Sequence, residues 1–427
     1  MTVAGGLHGS ALASRVTDRR CPVIRPDPTA NADLRHAGRG ALSLALMAAR
    51  NRTLAALNAI DAVAGADSSP AAQHDVDPPR WIAGHVAWYQ EYWIARNVQR
   101  QRGPAADPTH PRLVSVESEA DAWFDPRRAD RPGRWALGLP PAAQVRRYLE
   151  DTLEVTLELL AATAEDDAAL HVYRAALIHE EAHLESFADA AQALGLRVGL
   201  FDEPPLRAPR EPILMPATRW RLGREPGPGF VPGLEKWAHE VRVPEFEIDA
   251  QPVSWAQYVE FVEDGGYDEH RWWSPGGRDW KERLGRRVPR YVDQMRQGVL
   301  QWRFGRLVRV PLGRPVTHVS LHEAEAWCRW AGRRLPTEVE WEAAAHQASS
   351  RGWRWGEVRE WTATPLRPYP GHEPDLDAEL APPGFGDRQA QRGASGATSP
   401  ALRDPRRRLG QRPEADHRFV GFRSCAL

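Results

Sequence analysis

Residues 166–195, DDAALHVYRAALIHEEAHLESFADAAQALG, read as one long helix that ends at Gly195, a natural C-cap. Within it, His179-Glu180-Glu181-Ala182-His183-Leu184-Glu185 places two histidines four residues apart. Side chains at that spacing share a helix face, with Cβ atoms about 5–6 Å apart, so both imidazoles can reach one metal ion. A bare H-x-x-x-H also arises by chance, and two solvated histidines are the plain alternative.

Working outward, residues 41–63 carry Leu42, Leu46, Leu54, Leu57 and Ile60 at helical spacings. A second helix is expected to start at Pro78-Pro79, since proline suits a first helical turn, and to run to about Arg102. A third spans about 142–162, with Val145, Leu149, Leu153 and Leu160 on its apolar face. Four helices with one long crossover make a four-helix bundle, an architecture that commonly houses metal sites between facing helices. His85 lies on the second helix beside Trp81, Trp88, Tyr89 and Tyr92, so it belongs on or near the core-facing side. There an unpartnered imidazole is costly. Either it bonds a backbone carbonyl, or it converges with His179 and His183 on a metal. Imidazole ligands suit iron, zinc, copper or nickel, so ligand type alone does not choose the ion. Glu180, Glu181 and Glu185 are candidates for orienting the ligands.

After a Pro-rich linker from Glu203 to Pro216 the texture changes. Short β-like runs at 240–248 and 307–310 alternate with Gly and Pro turns, and helices are expected at about 321–332 and 337–346. The 427 residues include 18 Trp against 10 Phe and 8 Tyr; five Trp precede residue 210 and thirteen follow it. Length and this split argue for two domains of different kind. Residues 1–39 read as a disordered leader, 40–202 as the bundle and 203–427 as an α+β domain with a Trp-filled core.

Several classes fall away on composition. A net charge of -1 excludes the basic excess of a dedicated nucleic-acid binder. No apolar run approaches the roughly 20 residues of a membrane span, and no apolar signal-peptide region opens the chain. Three cysteines, Cys21, Cys328 and Cys425, make no disulfide framework and fit a reducing cytoplasm. The sequence leaves the oligomeric state open.

The run Trp81-x-x-Gly84-His85-x-x-Trp88-x-x-Glu91-Tyr92-Trp93, with the His179–Glu185 motif, resembles the DinB-like bundle of ergothioneine-type sulfoxide synthases. Residues 246–249, 315–320, 326–342, 355–362, 392–395 and 421–423 resemble their second domain, which is similar to formylglycine-generating enzyme and has a C-type-lectin-like fold. The resemblance covers roughly residues 41–427. It implies a DinB-like four-helix bundle followed by a formylglycine-generating-enzyme-like domain. It also implies Fe(II) bound by His85, His179 and His183, with O2 as oxidant and hercynine (trimethylated histidine) as substrate. A tyrosine of the second domain serves the family as proton donor, and Tyr369 is the candidate here. Trp88, Tyr92, Arg128, Arg131 and Arg134 are the expected substrate-binding residues, and a C-terminal Trp is expected to face the trimethylammonium group.

Residues 406–414, Arg-Arg-Arg-Leu-Gly-Gln-Arg-Pro-Glu, replace the Asn-Trp-Asp-like stretch of enzymes that use γ-glutamyl-cysteine or cysteine. Residues 90–97 and 123–140 instead resemble the selenoneine synthases, which couple hercynine to a selenosugar. The expected activity is therefore iron- and O2-dependent carbon–selenium bond formation. The ergothioneine-type reaction with a sulfur donor is the first alternative. A zinc hydrolase with Glu180 as general base in H-E-x-x-H, and a binding module without metal, are the others.

Overall fold

The computed structural model describes residues 33–65, 71–295, 298–376, 378, 380 and 382–427. Six α-helices occur among the described residues of its first half: α1 (Arg39–Ala64), α2 (Pro79–Trp93), α3 (Ala120–Phe124), α4 (Arg131–Arg134), α5 (Ala142–Ala161) and α6 (Asp167–Ala193). The four long ones, α1, α2, α5 and α6, pack as a bundle, while α3 and α4 belong to the crossover. Its core takes Leu42, Leu46, Leu57 and Ile60 from α1, Trp81, Ile82 and Trp88 from α2, Val145 and Leu149 from α5, and Leu177 and Phe187 from α6.

Two expectations need correction. The second helix stops at Trp93 rather than near Arg102. No Pro or Gly breaks the chain there; a distant pairing does. Arg96 is buried and donates to both carboxylate oxygens of Asp121 at 2.7 and 2.8 Å and to the Leu113 carbonyl at 2.7 Å. The chain turns so that the guanidinium can reach them. The expected leader also ends too late. Residues 1–32 lie outside the described residues, but Leu34 and Ala37 are buried in the bundle core, and the Arg35 carbonyl accepts from the Phe230 amide at 3.0 Å.

The second half holds β1 (Ile213–Met215), β2 (Thr218–Leu222), β3 (His239–Val243), β4 (Phe246–Ile248), β5 (Val292–Gln294), β6 (Val299–Arg303), β7 (Arg306–Val310), β8 (Arg333–Arg334), β9 (Arg359–Pro365), β10 (Gln389–Gly393), β11 (Leu409–Gln411), β12 (Val420–Phe422) and β13 (Cys425–Ala426). The helices are α7 (Trp255–Glu263), α8 (Pro275–Leu284), α9 (Leu321–Trp330) and α10 (Glu338–Gln347). The strands form two four-stranded sheets, ordered β1-β4-β13-β8 and β11-β10-β9-β12, a β2–β3 hairpin and a β5-β6-β7 meander. Capping boxes at Ser254, Ser320 and Thr337 start α7, α9 and α10. Trp255, Trp280, Trp341 and Trp361 are fully buried, so tryptophan fills a core that short strands cannot. Buried ion pairs complete it: Arg423 with Glu360, and Arg392 and Arg408 with Glu338. No helix among the described residues is long and apolar enough to cross a membrane.

Candidate metal centre at the domain boundary

His85 on α2 and His179 and His183 on α6 come together. Their ligand nitrogens all lie within 4.8 Å of one another. Ring centroids are 5.1 Å apart for His85–His179, 5.4 Å for His85–His183 and 4.2 Å for His179–His183. Burial lowers the pKa of all three, so the imidazoles are neutral, the form that ligates a metal. Two tautomers are set by backbone. The Nδ1–H of His85 donates to the Phe124 carbonyl at 2.9 Å, and that of His183 to the His179 carbonyl at 2.9 Å. Each leaves the Nε2 lone pair free. His179 Nδ1 is buried with no hydrogen-bond partner. Three converging neutral imidazoles, one with an orphaned nitrogen, fit a resident metal ion.

Stacking holds the rings. Tyr89 lies flat on His179 with centroids 3.6 Å apart, and Trp81 lies on His85 at 4.5 Å. Arg134 covers the Trp81 ring, its guanidinium carbon 3.7 Å from the centroid. The histidines open into a cavity of about 490 Å³ at the domain boundary. Asp77, Trp81, Tyr89, Pro126, Arg131, Arg134 and Ser186 line the bundle side, and Gly233, Leu234, His372, Asp375, Leu380, Arg388 and Arg418 line the other.

The substrate-binding expectations divide. Arg131 and Arg134 reach the wall, where Asp77 holds both, Arg134 Nη1 at 2.8 Å and Arg131 Nε at 3.4 Å. Arg128 is exposed and does not line the cavity. Trp88 is fully buried beneath His85 and donates its indole N–H to Asp121 at 2.6 Å. Tyr92 lies against Trp88 and under Arg112, also away from the wall. Tyr369 is absent from the wall too. It is buried inside the second domain, where its hydroxyl donates to Glu338 at 3.0 Å and accepts from Arg392 at 2.7 Å. Burial pushes that phenol well up. Among the described residues no second-domain Trp lines the cavity, so its large aromatic rings are Trp81 and Tyr89 from the bundle.

The three acids of the His179–Glu185 motif face other partners. Glu180 accepts from Arg50 Nε at 2.9 Å and Thr53 Oγ1 at 2.8 Å in the bundle interior. It does not line the cavity, which corrects the hydrolase reading: the would-be general base is a structural ion-pair member. Glu181 pairs with Arg52, and Glu185 with Arg359 and Thr398 of the second domain. Sequence reasoning passed over Asp77, Ser186, His372, Arg388 and Arg418. Ser186 alone had a local signal, lying three residues past His183 on the same face.

A bundle and an α+β domain meeting at a three-histidine site define a class of two-domain metal-site proteins. Residues 45–195 match the DinB superfamily, and residues 207–357 match the sulfatase-modifying factor enzyme 1-like domain. The hercynine oxygenase of Mycobacterium tuberculosis is 32% identical, covering 90% of this chain and 97% of its own length. That of Mycolicibacterium smegmatis is 31% identical over 88% and 96%. The formylglycine-generating enzyme of Streptomyces coelicolor is 32% identical over 35% of this chain and 52% of its own. The chain belongs to the hercynine oxygenase family.

Proposed function

We propose that this protein is a non-haem iron, O2-dependent enzyme that joins the imidazole ring of hercynine to a selenosugar, forming a carbon–selenium bond. The observation that carries the reading is the convergence of His85, His179 and His183 on a cavity walled by both domains. Bound there, iron supplies the redox chemistry of O2 and a point where ring and chalcogen donor meet. The protein supplies orientation and exclusion of water. Phe124 and His179 carbonyls hold two imidazoles in the ligating tautomer, and Tyr89 and Trp81 fix ring planes.

Two features favour a sugar donor over a peptide thiol. The arginines of residues 406–408 are engaged in structural contacts: Arg406 with the Gly223 carbonyl, Arg407 with Glu185 at 3.6 Å, and Arg408 with Glu338 at 2.8 Å. None of the three lines the histidine cavity, so none clamps a peptide carboxylate there. The second-domain wall has no tyrosine, so the proton donor implied for sulfoxide formation has no counterpart there among the described residues. Buried free thiols at Cys328 and Cys425 suit a reducing cytoplasm.

The test is anaerobic iron loading, then O2 with hercynine and equal selenosugar, γ-glutamyl-cysteine and cysteine, with products read by mass spectrometry. The expected outcome is a selenium conjugate dominating. A sulfoxide conjugate dominating returns the protein to ergothioneine-type chemistry, and no conjugate despite bound iron removes the enzymatic reading.

A further inference from the structure

Four guanidinium groups line the cavity, and they are not equivalent. Arg131 and Arg134 come from the bundle and share the Asp77 carboxylate. Arg388 and Arg418 come from the second domain, one just before β10 and the other just before β12. Arg418 pairs with Asp189 of α6 at 3.5 Å across the domain boundary, Asp77 attracts it from further off, and its Nε is buried without a hydrogen-bond partner. Arg388 makes no ion pair with a described carboxylate. Burial opposes its ionisation first, then the like charges of Arg131, Arg412 and Arg418, while Asp387 favours it. The remaining acid on the wall, Asp375, is occupied by the Gly233 amide at 2.6 Å and Lys236 at 3.2 Å. Among the described residues, the second-domain wall thus presents cationic forks short of anionic partners, facing three neutral imidazoles.

Guanidinium groups drawn out of water with too few anionic partners are costly unless a ligand supplies the anion; Arg388 is half-buried without an ion pair, and Arg418, 17% exposed, has only the 3.5 Å pair with Asp189. A planar carboxylate matches the fork geometry of arginine. On the hercynine reading, the substrate has its imidazole at one end and a carboxylate at the other. We propose that Arg388 and Arg418 form the clamp for that carboxylate, so that the second domain fixes the amino-acid end while the bundle histidines face the ring. Asp189 is then a positioning residue, holding Arg418 at the wall.

The test compares binding of hercynine with binding of N,N,N-trimethylhistamine, which lacks only the carboxylate. Dissociation constants are measured by calorimetry on the full chain, for wild type, Arg388→Gln, Arg388→Lys, Arg418→Gln and Arg131→Gln. Wild type is expected to prefer hercynine by about 10- to 100-fold, the range of a hydrogen bond to a charged group. Arg388→Gln and Arg418→Gln lose that preference through weaker hercynine binding alone, with trimethylhistamine unchanged. Arg388→Lys recovers part of it, and Arg131→Gln keeps it because its guanidinium already serves Asp77. Equal weakening of both ligands, or loss of preference in Arg131→Gln only, overturns the assignment while leaving the hercynine reading intact. A wild type that binds neither compound overturns both.

Discussion

Gly84 decides where His85 points. A Cβ built on it falls 2.1–2.6 Å from the Phe124 ring, so only glycine lets that ring lie against α2. Phe124 in turn supplies the carbonyl that accepts from His85 Nδ1. Gly84→Ala must push Phe124 away, at about 1–3 kcal/mol of overpacking. Losing an orienting partner of a ligand costs about 10–100-fold in metal affinity. Metal titration of the variant should show that loss; unchanged affinity would mean that the carbonyl does not set the imidazole. A second residue, His318, carries a pH dependence. Burial first, then the Arg303 and Arg290 charges, lower its pKa from 6.5 to about 3. Between those values the unfolded chain binds a proton that the folded chain refuses. Stability is therefore fully present above pH 6.5 and falls as pH drops toward 3, by about 1.4 kcal/mol per unit. His171, lowered to about 4, acts in the same sense, whereas Asp189, raised to about 6, loses its contribution as pH rises through 6. His318 has φ 62°, which asparagine tolerates. Denaturation of His318→Asn at pH 7, 6 and 5 should show a slope shallower by about one proton; a slope equal to wild type sinks the claim.

At the scale of elements, one side chain ties the bundle together. Arg50 of α1 donates to Glu180 of α6 at 2.9 Å, to Thr152 of α5 at 3.2 Å, and also to the Leu149 carbonyl and Gln90 of α2. Both members of the pair are about 1–2% exposed. Glu180→Gln is therefore expected to lower stability by about 3–5 kcal/mol, because Arg50 is left a buried cation without its counter-charge. It should retain stoichiometric metal under conditions where it is folded. Wild-type stability with lost catalysis would instead revive a general base at that position. The bundle was legible because helical periodicity is local: α1, α5 and α6 begin and end close to where apolar spacing and Gly195 put them. The end of α2 was not, since Arg96 turns the chain toward Asp121, 25 residues on. In the second domain the run at 240–248 splits into β3 and β4 around Pro244-Glu245. The site divides likewise. The histidines could be read from an i,i+4 pair and an aromatic-flanked third, but Asp77, Arg388 and Arg418 reach the cavity through loops whose placement is set by long-range pairings. Tyr369 misled because a lone loop tyrosine gives no sign that Glu338, Arg392 and Arg408 enclose it.

For the whole molecule, the question is what keeps two unlike domains in register around one cavity. The boundary contains a buried ionic cluster, with Glu185 of α6 accepting from Arg359 of β9 and from Thr398, and Arg407 at 3.6 Å. Glu185 and Arg359 are 4% and 6% exposed. Gln192, further along α6, donates to the Trp302 carbonyl at 2.8 Å and accepts from the Phe304 amide at 2.9 Å. The helix that carries two proposed ligands is thus also the helix that docks the second domain. Removing one partner of such a pair leaves the other charge buried, so Arg359→Met should cost about 3–5 kcal/mol, whereas pairing it with Glu185→Leu should recover much of that loss. Because the lost contact spans the boundary, the penalty should fall on docking. Wild type is expected to melt in one transition and Arg359→Met in two, with weakened hercynine binding since Arg388 and Arg418 stand on the displaced wall. Calorimetry of the two variants decides it. A single transition at the wild-type temperature in Arg359→Met would mean that the cluster contributes nothing to docking and that the interface is held by its apolar and backbone contacts alone.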